Sequence, residues 1–127
     1  MVALHTNPVV QSVIGGAIEV HRALGPGLLE SAYQRCLARE FDVRGLLFRT
    51  EVSLPVVYKG VDVNCGYRLD FVIGGDLIVE VKAVEQLLPI HRAQVITYLR
   101  LSGKPQALLI NFNVPRLVDG LKSFLSN

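Results

Sequence analysis

Asp70, Glu80 and Lys82 fall within two apolar, strand-like runs, Arg68-Leu69-Asp70-Phe71-Val72-Ile73 and Leu77-Ile78-Val79-Glu80-Val81-Lys82. Strand side chains alternate between faces, so Arg68, Asp70 and Val72 share one face while Tyr67, Leu69, Phe71 and Ile73 share the other. In the next strand Ile78, Glu80 and Lys82 oppose Leu77, Val79 and Val81, which leaves each strand one fully apolar face. If Gly74-Gly75-Asp76 is a three-residue hairpin loop, Ile73 pairs with Leu77 and Asp70 stands opposite Glu80 on the same side. A two-residue loop would set Asp70 opposite Val79 instead. Carboxylates with β-carbons about 5 Å apart repel each other. A divalent cation relieves that repulsion, since Mg²⁺ prefers one or two carboxylates together with waters and phosphate oxygens. Lys82 adds a charge that can pair with the carboxylates, orient a water or stabilise a developing oxyanion. An exposed strand edge carries Glu-x-Lys equally well. The apolar surroundings nevertheless argue for helices over both faces and partial burial of the charges.

The elements that must hold these residues are legible from periodicity. Asn7-Pro8 reads as a helix N-cap with proline at the first helical position, followed at helical spacing by Val10, Val13, Ile14, Ala17, Ile18, His21 and Leu24. The helix ends at Leu24-Gly25-Pro26-Gly27, where a second begins that carries Leu29, Tyr33, Cys36 and Leu37 and stops at Gly45. The period then changes. Residues 48–58, 61–73 and 77–84, punctuated by Lys59-Gly60 and Gly74-Gly75-Asp76, predict an antiparallel meander. Pro89 and His91 open a third helix that Gly103 closes, and Gln106 to Phe112 is a short strand. Strand, helix and strand make a right-handed crossover, so the third and fourth strands should be parallel. Residues 115–125 fit a short helix or an edge strand.

Composition sets the bounds. The chain has 127 residues, 50% of them hydrophobic and 19% charged, which predicts one domain over 1–127 and excludes intrinsic disorder. A net charge of +2 neither requires nor excludes a polyanionic partner. Cys36 and Cys65 lack metal-ligand or disulfide-framework spacing, so reduced, structural thiols are expected. No signal peptide or apolar run of membrane-spanning length is evident, and a cytoplasmic location is expected.

On the helices, Glu30 occupies a first turn, where the helix dipole favours a carboxylate without any chemical role. Tyr33 shares its face and reads as a core aromatic with a satisfied hydroxyl. Gln94 and Tyr98, with His91 one turn earlier, form a polar flank beside the stripe Leu88, Val95, Ile96 and Leu99, as at the border of a cleft. His21 reads as a satisfied boundary histidine, and His5 precedes any ordered element. Arg68, Lys59, Arg92, Arg100 and Lys104 are candidate phosphate contacts.

Taken in order, Asp70, then Glu80-Val81-Lys82, then a helix with Gln94 and Tyr98 resembles the PD-(D/E)XK nuclease superfamily. Gly27-Leu28-Leu29-Glu30-Ser31-Ala32-Tyr33 resembles the signature of its GxxExxY family. The resemblance spans about residues 13–112. It departs from the superfamily name at Leu69, where proline would stand. It implies a single-domain, restriction-endonuclease-like α/β fold with an αβββαβ core, a mixed central sheet flanked by helices. It further implies that Asp70, Glu80 and Glu30 bind Mg²⁺ or Mn²⁺, that Lys82 helps activate the water attacking a phosphodiester, and that Gln94 and Tyr98 position the site. The expected activity is metal-dependent hydrolysis of nucleic acid, DNA before RNA, without a membrane and with a homodimer or protein partner supplying further surface. Two rivals stand beside it. One is a catalytically silent nucleic-acid-binding or assembly module of the same fold; the other is a structural or toxin–antitoxin-like interaction protein whose three strand charges are merely solvated.

Overall fold

In the computed structural model, which describes residues 7–126, the first helix starts where its cap dictates. Asn7 Oδ1 accepts the Val9 and Val10 N–H groups at 2.9 and 3.4 Å, and α1 runs Pro8–Leu24. His5 lies outside the described residues. The buried stripe of α1 is Val10, Val13, Gly16, Ala17, Val20 and His21. Ile18, expected on that stripe, is exposed because it lies about 100° round the helix from Ala17; Leu24, the last helical residue, is exposed as well. The second helix, α2, spans Glu30–Val43, starting later than the glycines suggested, and buries Tyr33, Leu37 and Phe41 at successive turns. Leu29 and Cys36 are exposed rather than part of that stripe, and both cysteines are free and exposed instead of packed in the core. Gly45, at φ 69°, ends α2 as expected: Leu46 N–H reaches Phe41 O and Gly45 N–H reaches Asp42 O, both at 3.0 Å, the paired bonds of a left-handed helix terminus.

Two of the long predicted strands are each interrupted. Residues 48–58 divide into β1 (Phe48–Ser53) and β2 (Val57–Tyr58), and 61–73 into β3 (Val61–Asp62) and β4 (Arg68–Ile73). Pro55 has no N–H to give a ladder, and Asn64 and Gly66 turn to φ 49° and 74°. The pair β2–β3 is a separate small hairpin turning at Lys59-Gly60, both at positive φ. Next come β5 (Leu77–Lys82), α3 (Pro89–Ser102), β6 (Gln106–Asn111) and, after a 3-10 turn at Leu117–Gly120, β7 (Leu121–Leu125). The tail therefore contains both alternatives the sequence left open.

The main sheet has the order β1-β4-β5-β6-β7, in which only β5 and β6 are parallel, as the crossover through α3 requires. It is a mixed α/β sheet between helices. Against α1 and α2 it packs Phe71, Ile73, Leu77, Val79, Val81, Leu108 and Ile110; against α3 it packs Leu69, Val72, Ile78 and Leu109, where Val95, Tyr98 and Leu99 meet them. Tyr98 thus belongs to the buried stripe of α3, while Leu88 and Ile96 are exposed. The simple alternation predicted for β4 also fails. Leu69 lies on the α3 side with Val72, opposite Phe71 and Ile73, so the strand changes phase at Asp70. No described helix is long and apolar enough to cross a membrane.

Candidate active site

The phase change has a structural cause. The β4–β5 ladder pairs Ile73 with Leu77, Val72 with Ile78 and Phe71 with Val79, the register a three-residue turn imposes, and then stops. At the next step Asp70 and Glu80 come opposite each other, yet their backbones do not pair. Instead Glu80 Oε2 accepts the Asp70 N–H at 2.7 Å, and Asp70 Oδ2 accepts the Val81 N–H at 2.8 Å. Each carboxylate takes a backbone donor from the other strand and the two strands part around them. On the other side of β4 the β1 ladder likewise omits Glu51, which has φ 49°; Phe48 then packs on the α1/α2 side and Val52 on the α3 side. A left-handed glutamate costs about 1–2 kcal/mol and persists only where its surroundings over-determine it.

Glu80 is 4% exposed. Burial, and after it the neighbouring Asp70 charge, pushes its carboxyl up to about 8, with the Asp70 N–H and Lys82 acting against the rise. Burial also raises Asp70, opposed by the Val81 N–H, the Gln34 side chain and Lys82. Glu30 is raised in its turn by burial, with Lys82 and His91 lowering it and Asp70 raising it. Three carboxyls that hold their protons more tightly than usual are therefore gathered around Lys82. That lysine takes part in neither ion pair formed by the described residues, Arg22–Glu19 and Arg44–Glu40.

Glu30 reaches this cluster through the loop before α2. Gly27 supplies φ 100°, and the Tyr33 hydroxyl donates to Gly25 O at 2.6 Å while accepting the Leu28 N–H at 3.1 Å. Its ring stacks on Phe112 at 4.6 Å. Tyr33 is buried and ties the loop down, so that Glu30 stands at the first residue of α2 beside the strands. One turn on, Gln34 donates to Glu30 Oε1 at 3.4 Å and also hydrogen-bonds Asp70. Neither Gln34 nor Glu51 was singled out by sequence reasoning. The available signal for Gln34 was its i+4 spacing from Glu30; for Glu51 there was none, because its backbone conformation is imposed by the neighbouring strands.

From the opposite face, α3 brings Tyr98, whose hydroxyl is raised by burial, then by Glu80, Tyr67 and Asp70; its ring lies 6.3 Å from that of Tyr67. Gln94 stands half-buried one turn before it. His91 is within electrostatic range of Glu30, but its Nδ1 accepts the Leu88 N–H at 2.9 Å and so closes the start of α3. His21 lies outside the cluster, its Nε2 bonded to Val114 O at 2.7 Å. Asn111 exchanges bonds of 3.0 and 2.9 Å with the Val84 backbone, fixing the exit of β5.

Among the described residues, no three His, Cys, Asp or Glu side chains form a ready-made ligand group for a metal. The donors do fit a hard cation held the way Mg²⁺ is held. Asp70 and Glu80 each commit only one oxygen to a backbone N–H, Gln34 being a further neutral partner of Asp70, and two carboxylates completed by water and phosphate oxygens suffice. Glu30 adds its charge to the field at the pair, where Asp70 and Lys82 act on it in turn.

The family model described as PD-(D/E)XK nuclease superfamily matches residues 7–124. No curated protein and no solved structure matches the chain.

Proposed function

Because the chain belongs to the PD-(D/E)XK nuclease superfamily, we propose that it is a metal-dependent nuclease of the GxxExxY type that hydrolyses phosphodiester bonds, in DNA before RNA. The observation that carries this reading is the reciprocal bonding of Asp70 and Glu80, which opens the β4–β5 ladder and commits only one oxygen of each carboxyl to a backbone N–H. In this role Asp70 and Glu80, with Glu30 beside them, hold Mg²⁺ or Mn²⁺, and the cation supplies Lewis-acid polarisation of the phosphate. Lys82 orients the attacking water and balances negative charge gathering on the phosphate oxygens. Tyr98 closes the α3 side against bulk water, and Gln94 positions the substrate backbone. Net charge is only +2, so a long duplex is held with the help of a second copy or a partner protein, in the cytoplasm.

Titration calorimetry of Mn²⁺ into the protein and its Glu80→Ala variant tests the site without a guess at substrate. Binding by the parent and loss in the variant is expected, together with cleavage of DNA by the parent alone. Absence of metal binding by both proteins, even with an oligonucleotide present, would overturn the catalytic reading and leave the silent binding module.

A further inference from the structure

Between α2 and the edge of the sheet formed by β1 and β4 lies a cavity of about 390 Å³ that shares Asp70 with the acidic cluster. Gln34 and Arg35 line it from the helix; Thr50, Glu51 and Arg68 line it from the strands. Arg35 and Arg68 both line this cavity and belong to neither ion pair of the described residues, so two arginines border the same space without a carboxylate bound to them. Guanidinium forks match phosphate oxygens. The remaining wall is polar and mixed. Thr50 and Gln34 can donate or accept, and Glu51 can only accept when ionised, which suits the edge of a base with an exocyclic amine. The left-handed backbone of Glu51 brings this carboxylate into the wall at the level of Asp70. The volume lies near the lower end of small-molecule sites, about 300–1,000 Å³, enough for one nucleotide and too little for a base pair.

We infer that this cavity is a subsite for one unpaired nucleotide, the neighbour of the phosphodiester at Asp70, with Arg35 and Arg68 on its phosphate. The inference rests on the nuclease reading for its placement and narrows the substrate to strands that are single, frayed or ended at that position. Phosphate recognition by two guanidiniums and base recognition by Thr50, Gln34 and Glu51 then lie within one half-open recess, and a nucleotide held there presents its own ester linkage to the acidic cluster.

The test is binding of a short labelled single-stranded DNA, in Ca²⁺, to the full chain and three variants, with the same strand annealed to its complement as competitor. Arg35→Gln with Arg68→Gln is expected to lose about tenfold in affinity per arginine, and the slope of log affinity against log salt should lessen by about 0.7 for the single phosphate released. Ser31→Trp, which fills the cavity from α2 without removing charge, is expected to lose affinity comparably. Arg39→Gln, one turn beyond Arg35 and outside the cavity, should bind as the parent does, and the duplex should compete poorly. Parent-like affinity and slope in the double variant, parent-like binding by Ser31→Trp, or equal competition by duplex each overturns the subsite. Cleavage in Mn²⁺ is read separately. A parent that binds through the cavity yet never cleaves removes the nuclease reading and keeps the subsite, whereas a parent that cleaves and loses nothing in the variants does the reverse.

Discussion

Replacing Glu80 by glutamine should stabilise the metal-free protein and flatten its pH dependence. In the folded state the Glu80 carboxyl is pushed up to about 8 from an ordinary 4.5, burial being the first cause and the Asp70 charge the second. Between those two values the folded protein keeps a proton that the unfolded chain has released, so the unfolded state is favoured increasingly as pH rises. Stability is therefore fullest below pH 4.5, falls across the interval and levels off above about 8. At pH 7 the chain has climbed about 2.5 pH units beyond the ordinary value, at about 1.4 kcal/mol each, which makes the cost of keeping Glu80 about 3 kcal/mol. Glutamine cannot ionise and retains an oxygen for the Asp70 N–H, so Glu80→Gln should recover most of that amount, about 10 °C in melting temperature for a domain of this size. Urea denaturation of both proteins in EDTA, from about pH 5 to 8, measures it. The parent should lose stability as pH rises and the variant should lose much less, with the raised Asp70 and Glu30 accounting for the remainder. Adding Mn²⁺ should stabilise the parent more at higher pH, because the cation displaces the retained proton. A parent whose stability is flat or rises over this range, with Glu80→Gln no more stable at pH 7, would refute the reasoning.

Lys82→Ala should lower stability at neutral pH, since its charge opposes the upward shift of Asp70, Glu80 and Glu30, while cleavage by the folded protein falls about 100-fold or more, the scale on which loss of one stabilising donor is felt; equal cleavage rates would remove Lys82 from the chemistry. Tyr33→Phe takes a partner from Gly25 O and from the Leu28 N–H. It should cost about 1–3 kcal/mol in urea denaturation, and an unchanged midpoint would mean that the hydroxyl does not hold the loop. Gly120→Ala would drive a β-carbon into the Asn111 carbonyl oxygen, for an expected loss of about 1–3 kcal/mol. A variant as stable as the parent would show that the 3-10 turn shifts freely.

The sequence by itself determined most of the frame. Asn7 before Pro8, Gly45 after Val43 and Gly103 after Ser102 mark helix ends because caps and left-handed positions are local requirements. The length of the Gly74-Gly75-Asp76 turn set the β4–β5 register, and strand-helix-strand order set β6 parallel to β5, since both follow from short-range geometry. Asp70, Glu80 and Lys82 were legible as one group for the same reason, being two or ten residues apart on elements whose period is known. Only the tertiary structure decided what they do to each other. Alternation predicted two carboxylates facing across an intact ladder; the structure has each carboxylate bonded to a backbone N–H of the opposite strand and β4 out of phase beyond Asp70, because a buried charge must find a donor and the ladder's own donors were nearest. Glu51 at φ 49°, Gln34 between Glu30 and Asp70, and Tyr98 buried rather than flanking depend on which elements pack together. Those contacts join residues far apart in the chain, where neither period nor propensity carries information.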